Sequence, residues 1–396
     1  MNIVMLSNTY RPHVGGVARS VESFANEFRN RGHRVLVVAP EFHNQPDREN
    51  DVLRIPALQN FNGSDFSVVL PVSGLLNEEL NRFQPDIVHA HHPFLLGMTA
   101  LRIARYRGLP LVFTHHTLYE RYTHYVPADS VALKRFVIEL ATQYGNLADR
   151  VFAPSESIAA LLRQRQVRTP IEVIPTGVHL ASYADANGAT FRSGHNIPPD
   201  AFLIGHLGRL APEKNLRFLV EAIALFMEND DKAHFLLVGV GPMLEELTEV
   251  FKQRHLGQRF HSFGLLSPKQ QSDAYNAMDV FAFASKSETQ GMVLTEAMAA
   301  GVPVVALDAS GAREVVKDRE NGRLLFEEDV ETFAGALRWL RGLDGSARLA
   351  LKSSAQKTAE LFSMTNSATR ALHCYQTLLG TAHQGDETVY QRWLRL

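Results

Sequence analysis

The chain has 396 residues, 45% of them apolar and 21% charged, which is enough for two domains with a full core each. A formal net charge of −2 argues against a nucleic-acid binder, and a single cysteine, Cys374, excludes disulfide frameworks and cysteine zinc sites. No stretch approaches the roughly 18 apolar residues of a spanning helix. The opening run Met1 to Leu6 also lacks the basic-then-apolar pattern of a signal peptide, so a cytoplasmic protein is expected.

The first half alternates short apolar runs with amphipathic stretches. Ile3 to Leu6 reads as a strand, Gly15-Gly16 as the loop after it, and Val17 to Arg31 as a helix with Val17, Val21, Phe24, Ala25 and Phe28 on one face. Val35 to Val38, Ile87 to Ala90, Leu111 to Phe113 and Val151 to Ala153 read as further strands. Such a βαβ series implies a parallel sheet covered by helices on both faces. The polar stretch Ser182 to Asp200, after Ile174-Pro175-Thr176-Gly177-Val178, places a domain junction there.

A second series follows. Leu203 to Leu207 is a strand, Leu216 to Met227 a helix, and His234 to Val238, Phe260 to Phe263, Val280 to Ala284 and Val302 to Leu307 continue the sheet. Ala355 to Leu379 reads as helical, as does Thr388 to Leu396. The expectation is α/β: two doubly wound Rossmann-like domains facing a central cleft, residues 1–177 and 178–379, with helix 380–396 packing back onto the first.

The richest segment runs from Ser287 to Val305. It places Glu288 in a loop at a strand's carboxyl end and Glu296, eight positions on, along the following helix. Ligands of open α/β sheets bind at the carboxyl ends of strands. Backbone N–H groups around Gly291, Met292 and Val293 would open that helix, and a helix N-terminus favours negative charge. Two carboxylates able to accept sugar hydroxyls beside an anion site suggest a nucleotide-sugar pocket. Arg209 and Lys214 follow the first strand of the second half, and two fixed cations can hold a diphosphate and stabilise it as it leaves; read alone, they are exposed surface charges. Gly239-Val240-Gly241-Pro242 lacks the third glycine of a dinucleotide fingerprint, since Leu244 stands there, and reads as a tight turn near the nucleotide. The backbone of Gly264 and Leu265 could pair with a base edge, or the segment is plain core. Gly15 and Gly16 suit a phosphate or sugar, or form a simple turn.

Six of the histidines of the first half crowd between residues 89 and 124: His89, His91, His92, His115, His116 and His124. Their spacing matches no metal motif, so a polar cleft wall is expected and no metal, with His116 touching the transferred sugar. No Asp-x-Asp follows an apolar strand, which leaves Arg209, Lys214 and helix dipoles to neutralise a diphosphate.

The Gly-Gly loop, the Gly208-Arg209-x4-Lys214 segment and Glu288-x7-Glu296, in this order, resemble the retaining glycosyltransferases of family 4, with the GT-B fold. The resemblance covers essentially the whole chain. It implies a hexosyltransferase that needs no cofactor or metal, with a nucleoside-diphosphate sugar (UDP-glucose first) as donor. Glu288 would then hold the sugar's 3- or 4-hydroxyl, Glu296 the ribose, and Arg209 and Lys214 the diphosphate. Gly16 and its neighbour would approach the diphosphate and sugar, and His116 would lie near the anomeric carbon. A front-face route with retention is implied. The segments Phe113 to Pro127 and His91 to Gly97 resemble bacterial diacylglycerol glucosyltransferases, which implies a membrane glycerolipid acceptor and contact with the inner face of a membrane. Residues 1–175 carry 18 Lys and Arg against 16 Asp and Glu, and the clusters Arg102 to Arg107 and Arg163 to Arg168 could assist such contact or form solvated helix faces. A soluble sugar or sugar-phosphate acceptor, a phosphorylase-like enzyme and a non-catalytic nucleotide-sugar binder are the alternatives; nucleic acid is not expected as a partner.

Overall fold

The computed structural model describes residues 1–13, 15–47, 49–58, 68–69, 74–121 and 130–382. His124 and the segment Thr388 to Leu396 lie outside them, as does the whole run 122–127. The chain forms two compact units, Met1–Gly177 with Met364–Leu396, and Val178–Ser363.

In the first unit the chain runs β1 (Asn2–Leu6), α1 (Gly16–Asn30), β2 (Arg34–Pro40), β3 (Val52–Ile55), β4 (Ala57–Leu58), β5 (Val68–Val69), α2 (Gly74–Phe83), β6 (Ile87–Ala90), α3 (Leu96–Arg107), β7 (Leu111–Thr114), α4 (Val131–Leu147), β8 (Arg150–Ala153), α5 (Glu156–Gln164) and β9 (Ile171–Val173). The seven-stranded sheet has the order β3-β2-β1-β6-β7-β8-β9, all parallel, and β4 pairs with β5 as a small antiparallel ribbon. Its central strands are buried on both faces, which is why they read as unbroken apolar runs rather than alternating ones.

In the second unit the order is α6 (Ala181–Ala184), α7 (Gly188–Gly194), β10 (Phe202–Leu207), α8 (Leu216–Glu228), β11 (Ala233–Val238), α9 (Leu244–Gln253), β12 (Phe260–Phe263), α10 (Pro268–Ala277), β13 (Val280–Phe283), α11 (Met292–Ala299), β14 (Val304–Leu307), β15 (Gly322–Leu325), α12 (Val330–Arg341) and α13 (Gly345–Leu361). Its parallel sheet runs β12-β11-β10-β13-β14-β15. The α8 helix buries Leu216, Leu219, Val220, Ile223, Phe226 and Met227 in one core. Each large side chain there contributes about 1.5–3 kcal/mol by leaving water.

Both sheets reverse direction of strand addition once, between β1 and β6 and between β10 and β13, the doubly wound pattern in which ligand crevices open at the carboxyl ends beside the reversal. Three short strands, β3, β9 and β15, do not stand out as apolar runs. They are edge or near-edge strands, only half buried.

Two expectations need correction. The polar stretch from Ser182 to Asp200 is not a bare junction loop: it carries α6 and α7, with Phe191 buried and Asn187 capping α7 through the Thr190 N–H (2.9 Å). The return to the first unit also occurs earlier than residue 380. The helical stretch Ala355 to Leu379 breaks at Phe362–Ser363, where Val178 N–H donates to the Phe362 carbonyl (2.9 Å), and α14 (Met364–Ala382) belongs to the first unit. The cause is apolar. Met364, Ala368, Ala371, Leu372, Tyr375 and Leu378 join Val21, Phe24 and Phe28 of α1 in one core. The Arg31 guanidinium fastens the start of α14 through the Thr365 carbonyl and the Thr369 hydroxyl, both at 2.8 Å.

Candidate functional site

In the second unit, Lys214 ends a short 3-10 turn, Pro212–Lys214, after β10, and Glu288 sits in the loop after β13. The two are neighbours because β10 and β13 are adjacent strands. Their side chains form an ion pair, Lys214 Nζ to Glu288 Oε1, with 17% and 21% exposure. Ser285 Oγ donates to the same carboxylate oxygen (3.1 Å), and Ser287 Oγ donates to the Glu213 carbonyl (3.0 Å), tying the two loops together. His206, inside β10, donates its Nδ1–H to the Ala282 carbonyl (2.9 Å), and burial pushes its imidazole down to about 4. Arg209 pairs with Glu213 rather than standing alone as a cation, and its side chain is half exposed.

Glu296 is 3% exposed on α11, and Tyr275 of α10 donates its hydroxyl to Glu296 Oε2 (2.8 Å). A charge-assisted bond of this kind holds a buried carboxylate in one orientation. Gly291 caps α11 in the left-handed region (φ 71°), and Gly311 (φ 81°) lies against it. A Cβ on Gly311 would sit 2.7 Å from the Gln290 carbonyl carbon. The N–H groups of Met292 and Val293 fall in the first turn of α11, where no helical carbonyl precedes them. At Gly239 (φ 152°) a Cβ would meet the Gly208 carbonyl oxygen at 1.9 Å, so this glycine lets the loops after β10 and β11 pack backbone to backbone. Gly239 N–H then donates to Phe263 O (2.9 Å), next to Gly264 and Leu265 at the end of edge strand β12; Leu265 is 65% exposed. Arg209, Lys214, Gly239, Gly264, Leu265, Glu288, Gly291, Met292 and Val293 thus share one edge of the sheet, with Glu296 about one turn into α11. From β12 to β13 is three strand spacings, roughly 14 Å.

In the first unit Gly15 and Gly16 stand at the start of α1, as expected of a loop opening a helix. Gly15 caps α1 with extended backbone (φ −172°) and Gly16 begins the helix, so neither uses a positive φ. What Gly16 offers is room: a Cβ there would meet nothing within 4 Å.

His89 and Thr114, on adjacent strands β6 and β7, bond at 2.6 Å through His89 Nε2. His91 and His116 repeat the contact beyond the ends of the same strands, at 2.9 Å from Nδ1 to Nε2. His92 Nδ1 accepts from the Asn8 N–H (3.1 Å). Burial pushes His89 and His92 down to about 3 and His115 to about 4, and it holds His91 and His116 well below their usual range. These imidazoles are neutral at physiological pH. Among the described residues no group of three or more His, Cys, Asp or Glu side chains is placed to hold a metal ion. Two members of the Arg163 to Arg168 cluster are paired, Arg163 with Glu156 (2.8 Å) and Arg165 with Glu120 (2.6 Å).

Sequence reasoning missed Tyr275, Ser285 and His206. Ser285 was legible in principle, three positions before Glu288 in one loop. His206 sits on a strand that was legible, but nothing local aims its ring at the Ala282 carbonyl of the neighbouring strand, and Tyr275 sits on a helix whose neighbour only the fold reveals.

Residues 14–182 match Glycosyltransferase Family 4, and residues 188–358 match Glycosyl transferases group 1. The alpha-monoglucosyldiacylglycerol synthase of Streptococcus pneumoniae is 30% identical over 343 residues, covering 85% of this chain and 77% of its own. The GDP-mannose-dependent alpha-mannosyltransferase of Mycolicibacterium smegmatis is 30% identical over 346 residues, covering 85% and 87%. Among solved structures, Anabaena Alr3699/HepE in complex with UDP matches with a TM-score of 0.75 over 95% of this chain and 100% of that one, at 22% identity, which bears on the fold alone. With both halves matched in order and two parallel doubly wound units on the page, the chain is a hexosyltransferase that belongs to glycosyltransferase family 4 and has the GT-B fold.

Proposed function

We propose that this enzyme moves glucose from UDP-glucose to the hydroxyl of a membrane diacylglycerol, with retention of configuration and without a metal ion. The observation that carries the reading is the meeting of Lys214, Glu288 and Ser285 at the carboxyl ends of β10 and β13. Glu288 accepts from the sugar's 3- or 4-hydroxyl, and Lys214 and Arg209 bind the diphosphate, helped by the first-turn N–H groups of α11. Glu296, oriented by Tyr275, accepts from the ribose. The base lies at Gly264 and Leu265. The roughly 14 Å between these ends suits an extended nucleoside-diphosphate sugar.

In the reaction the bond from the anomeric carbon to the diphosphate oxygen breaks. The acceptor oxygen bonds to that carbon on the same face, and its proton passes to the departing phosphate oxygen. His116, neutral and hydrogen-bonded by His91, is the group assigned to the sugar beside the reacting carbon.

The lipid acceptor is supported by the similarity to the pneumococcal synthase. It is supported also by α4, whose first half is unburied and exposes Val131 (68%) and Phe136 (62%) beside Lys134 and Arg135, a pattern suited to an anionic lipid surface. No helix among the described residues is long and apolar enough to cross a membrane. A GDP-mannose donor is the second reading, favoured by the equal 30% identity to the mycobacterial mannosyltransferase. Calorimetric titration with UDP and GDP, each with and without EDTA, tests the donor. EDTA-insensitive UDP binding supports the first reading, preference for GDP the second, and binding of neither removes the donor site.

A further inference from the structure

Two rungs cross from β6 to β7 with the same sequence offset. His89 reaches Thr114, and His91 reaches His116, 25 positions on in each case. The rungs touch, with the His89 and His91 rings 4.1 Å apart between centroids. The inner rung has a third member from the other end of the chain. Tyr375 of α14, fully buried, brings its hydroxyl to 2.6 Å from His89 Nδ1. Its ring is held by Phe152 (5.9 Å, stacked) and Phe28 (5.7 Å, edge-on).

Proton accounting fixes the directions. A neutral His89 has one N–H and one lone pair for two hydroxyl partners. If His89 Nδ1–H donated to Tyr375, the tyrosine proton would be left in a fully buried position; among the described residues its hydroxyl bonds only to His89. An unmade buried hydrogen bond costs about 1–3 kcal/mol. Tyr375 therefore donates to Nδ1, His89 carries its proton on Nε2, and it donates to Thr114, which is 6% exposed and is left with the spare hydroxyl proton. In the outer rung His91 Nε2 is buried and has no partner among the described residues. A bare lone pair there is less costly than a bare N–H, so His91 donates from Nδ1 to His116 Nε2, and the proton of His116 lies on Nδ1.

We propose that Tyr375 and His89 are positioning residues for His116: the hydroxyl supplied by α14 locks the His89 ring, and that ring is the surface on which the tilted His91 ring rests while it donates to His116. The catalytic part of this inference rests on the assignment of His116 to the transferred sugar; the coupling between the rings does not. It gives the crossing of α14 onto the first unit a chemical task beyond packing.

The test has a readout independent of activity. In the full-length chain labelled with ¹⁵N-histidine, His89 is expected as the Nε2–H tautomer and His116 as the Nδ1–H tautomer. Tyr375→Phe is expected to mix the His89 tautomers and to shift the ring nitrogens of both His91 and His116. Unmoved His91 and His116 resonances overturn the proposal. Thr114→Val, which cuts the other end of the His89 ring, is expected to act in the same direction and serves if Tyr375→Phe does not fold. With UDP-glucose and dioleoylglycerol in mixed micelles, Tyr375→Phe is expected to lower kcat about tenfold at unchanged KM for UDP-glucose. In a His116→Gln background the same change is expected to add no further loss. Losses that multiply instead mean a merely structural tyrosine and overturn the proposal. Full activity of His116→Gln overturns the underlying assignment of His116, and is told apart because it does not depend on whether the resonances move.

Discussion

Lys214 and Glu288, 74 positions apart, are joined as an ion pair between the loops after β10 and β13. The cation proposed for the diphosphate and the carboxylate proposed for the sugar thus lie side by side. Lys214→Ala is expected to lower kcat about 10²–10³-fold, the usual loss when one fixed stabiliser of a developing anion is removed. Glu288→Ala is expected to cut turnover strongly while the fold is retained. Steady-state kinetics with circular dichroism check both, and unchanged transfer by Glu288→Ala would remove it from the site.

Tyr275 holds Glu296 at 2.8 Å with both side chains buried. A hydrogen bond to a charged group contributes about 1.5–3 kcal/mol. Tyr275→Phe is therefore expected to lower the melting temperature and to weaken UDP binding about tenfold. A variant that melts lower but binds UDP normally would mean that Glu296 does not hold the ribose.

The Gly311–Gly291 contact sets the entry to α11. Alanine at Gly311 meets both a left-handed backbone (φ 81°) and the Gln290 carbonyl carbon at 2.7 Å. Gly311→Ala is expected to destabilise by more than about 1 kcal/mol and to displace the Gln290–Gly291 backbone, with loss of UDP affinity. Gly16→Ala, with open space at its Cβ, is expected to leave stability nearly unchanged. Thermal melts and UDP titration of the two variants, side by side, separate strain from room.

Burial lowers the pKa of His89, His91, His92, His115 and His116, so the folded first unit resists protonation at groups that an unfolded chain protonates below about 6.5. As pH falls from that value toward 3–4, the unfolded state takes up more protons, and stability drops by about 1.4 kcal/mol per pH unit for each of His89, His92 and His115, with His91 and His116 acting in the same direction. The stability is fully present above neutral pH. Urea unfolding at pH 7.5, 6 and 5 is expected to show the midpoint falling steeply below pH 6. A flat midpoint over that range would contradict the buried neutral cluster.

Much of this was readable beforehand because buried parallel strands write themselves as apolar runs, and because a loop following such a run, with paired carboxylates and a glycine, can only lie at a sheet's carboxyl edge. The places of Glu288 and Lys214 in loops at that edge, and of Glu296 on the helix that follows, were legible that way. What stayed hidden depends on packing between distant segments. Ala355 to Leu379 reads as one helical stretch; Ser363, a residue type that opens helices, is the one local mark of the break, and nothing local marks the apolar face that carries Tyr375 to His89. Gly15 and Gly16 were legible as a loop opening a helix, but only the fold shows that a Cβ would be crowded at Gly15, 3.1 Å from His13 Nε2, and free at Gly16. The pairing of Arg163 with Glu156 and Arg165 with Glu120 likewise needed the fold, since Glu120 and Arg165 lie 45 positions apart.

The most direct measurement is transfer of radiolabelled glucose from UDP-glucose to dioleoylglycerol in anionic mixed micelles with EDTA present, by the wild type and by Glu288→Ala. The account predicts labelled α-glucosyl lipid from the wild type, undiminished by EDTA, and strong loss in the variant. Absence of labelled lipid while GDP-mannose or a soluble sugar acceptor yields product, or equal transfer by Glu288→Ala, would contradict it.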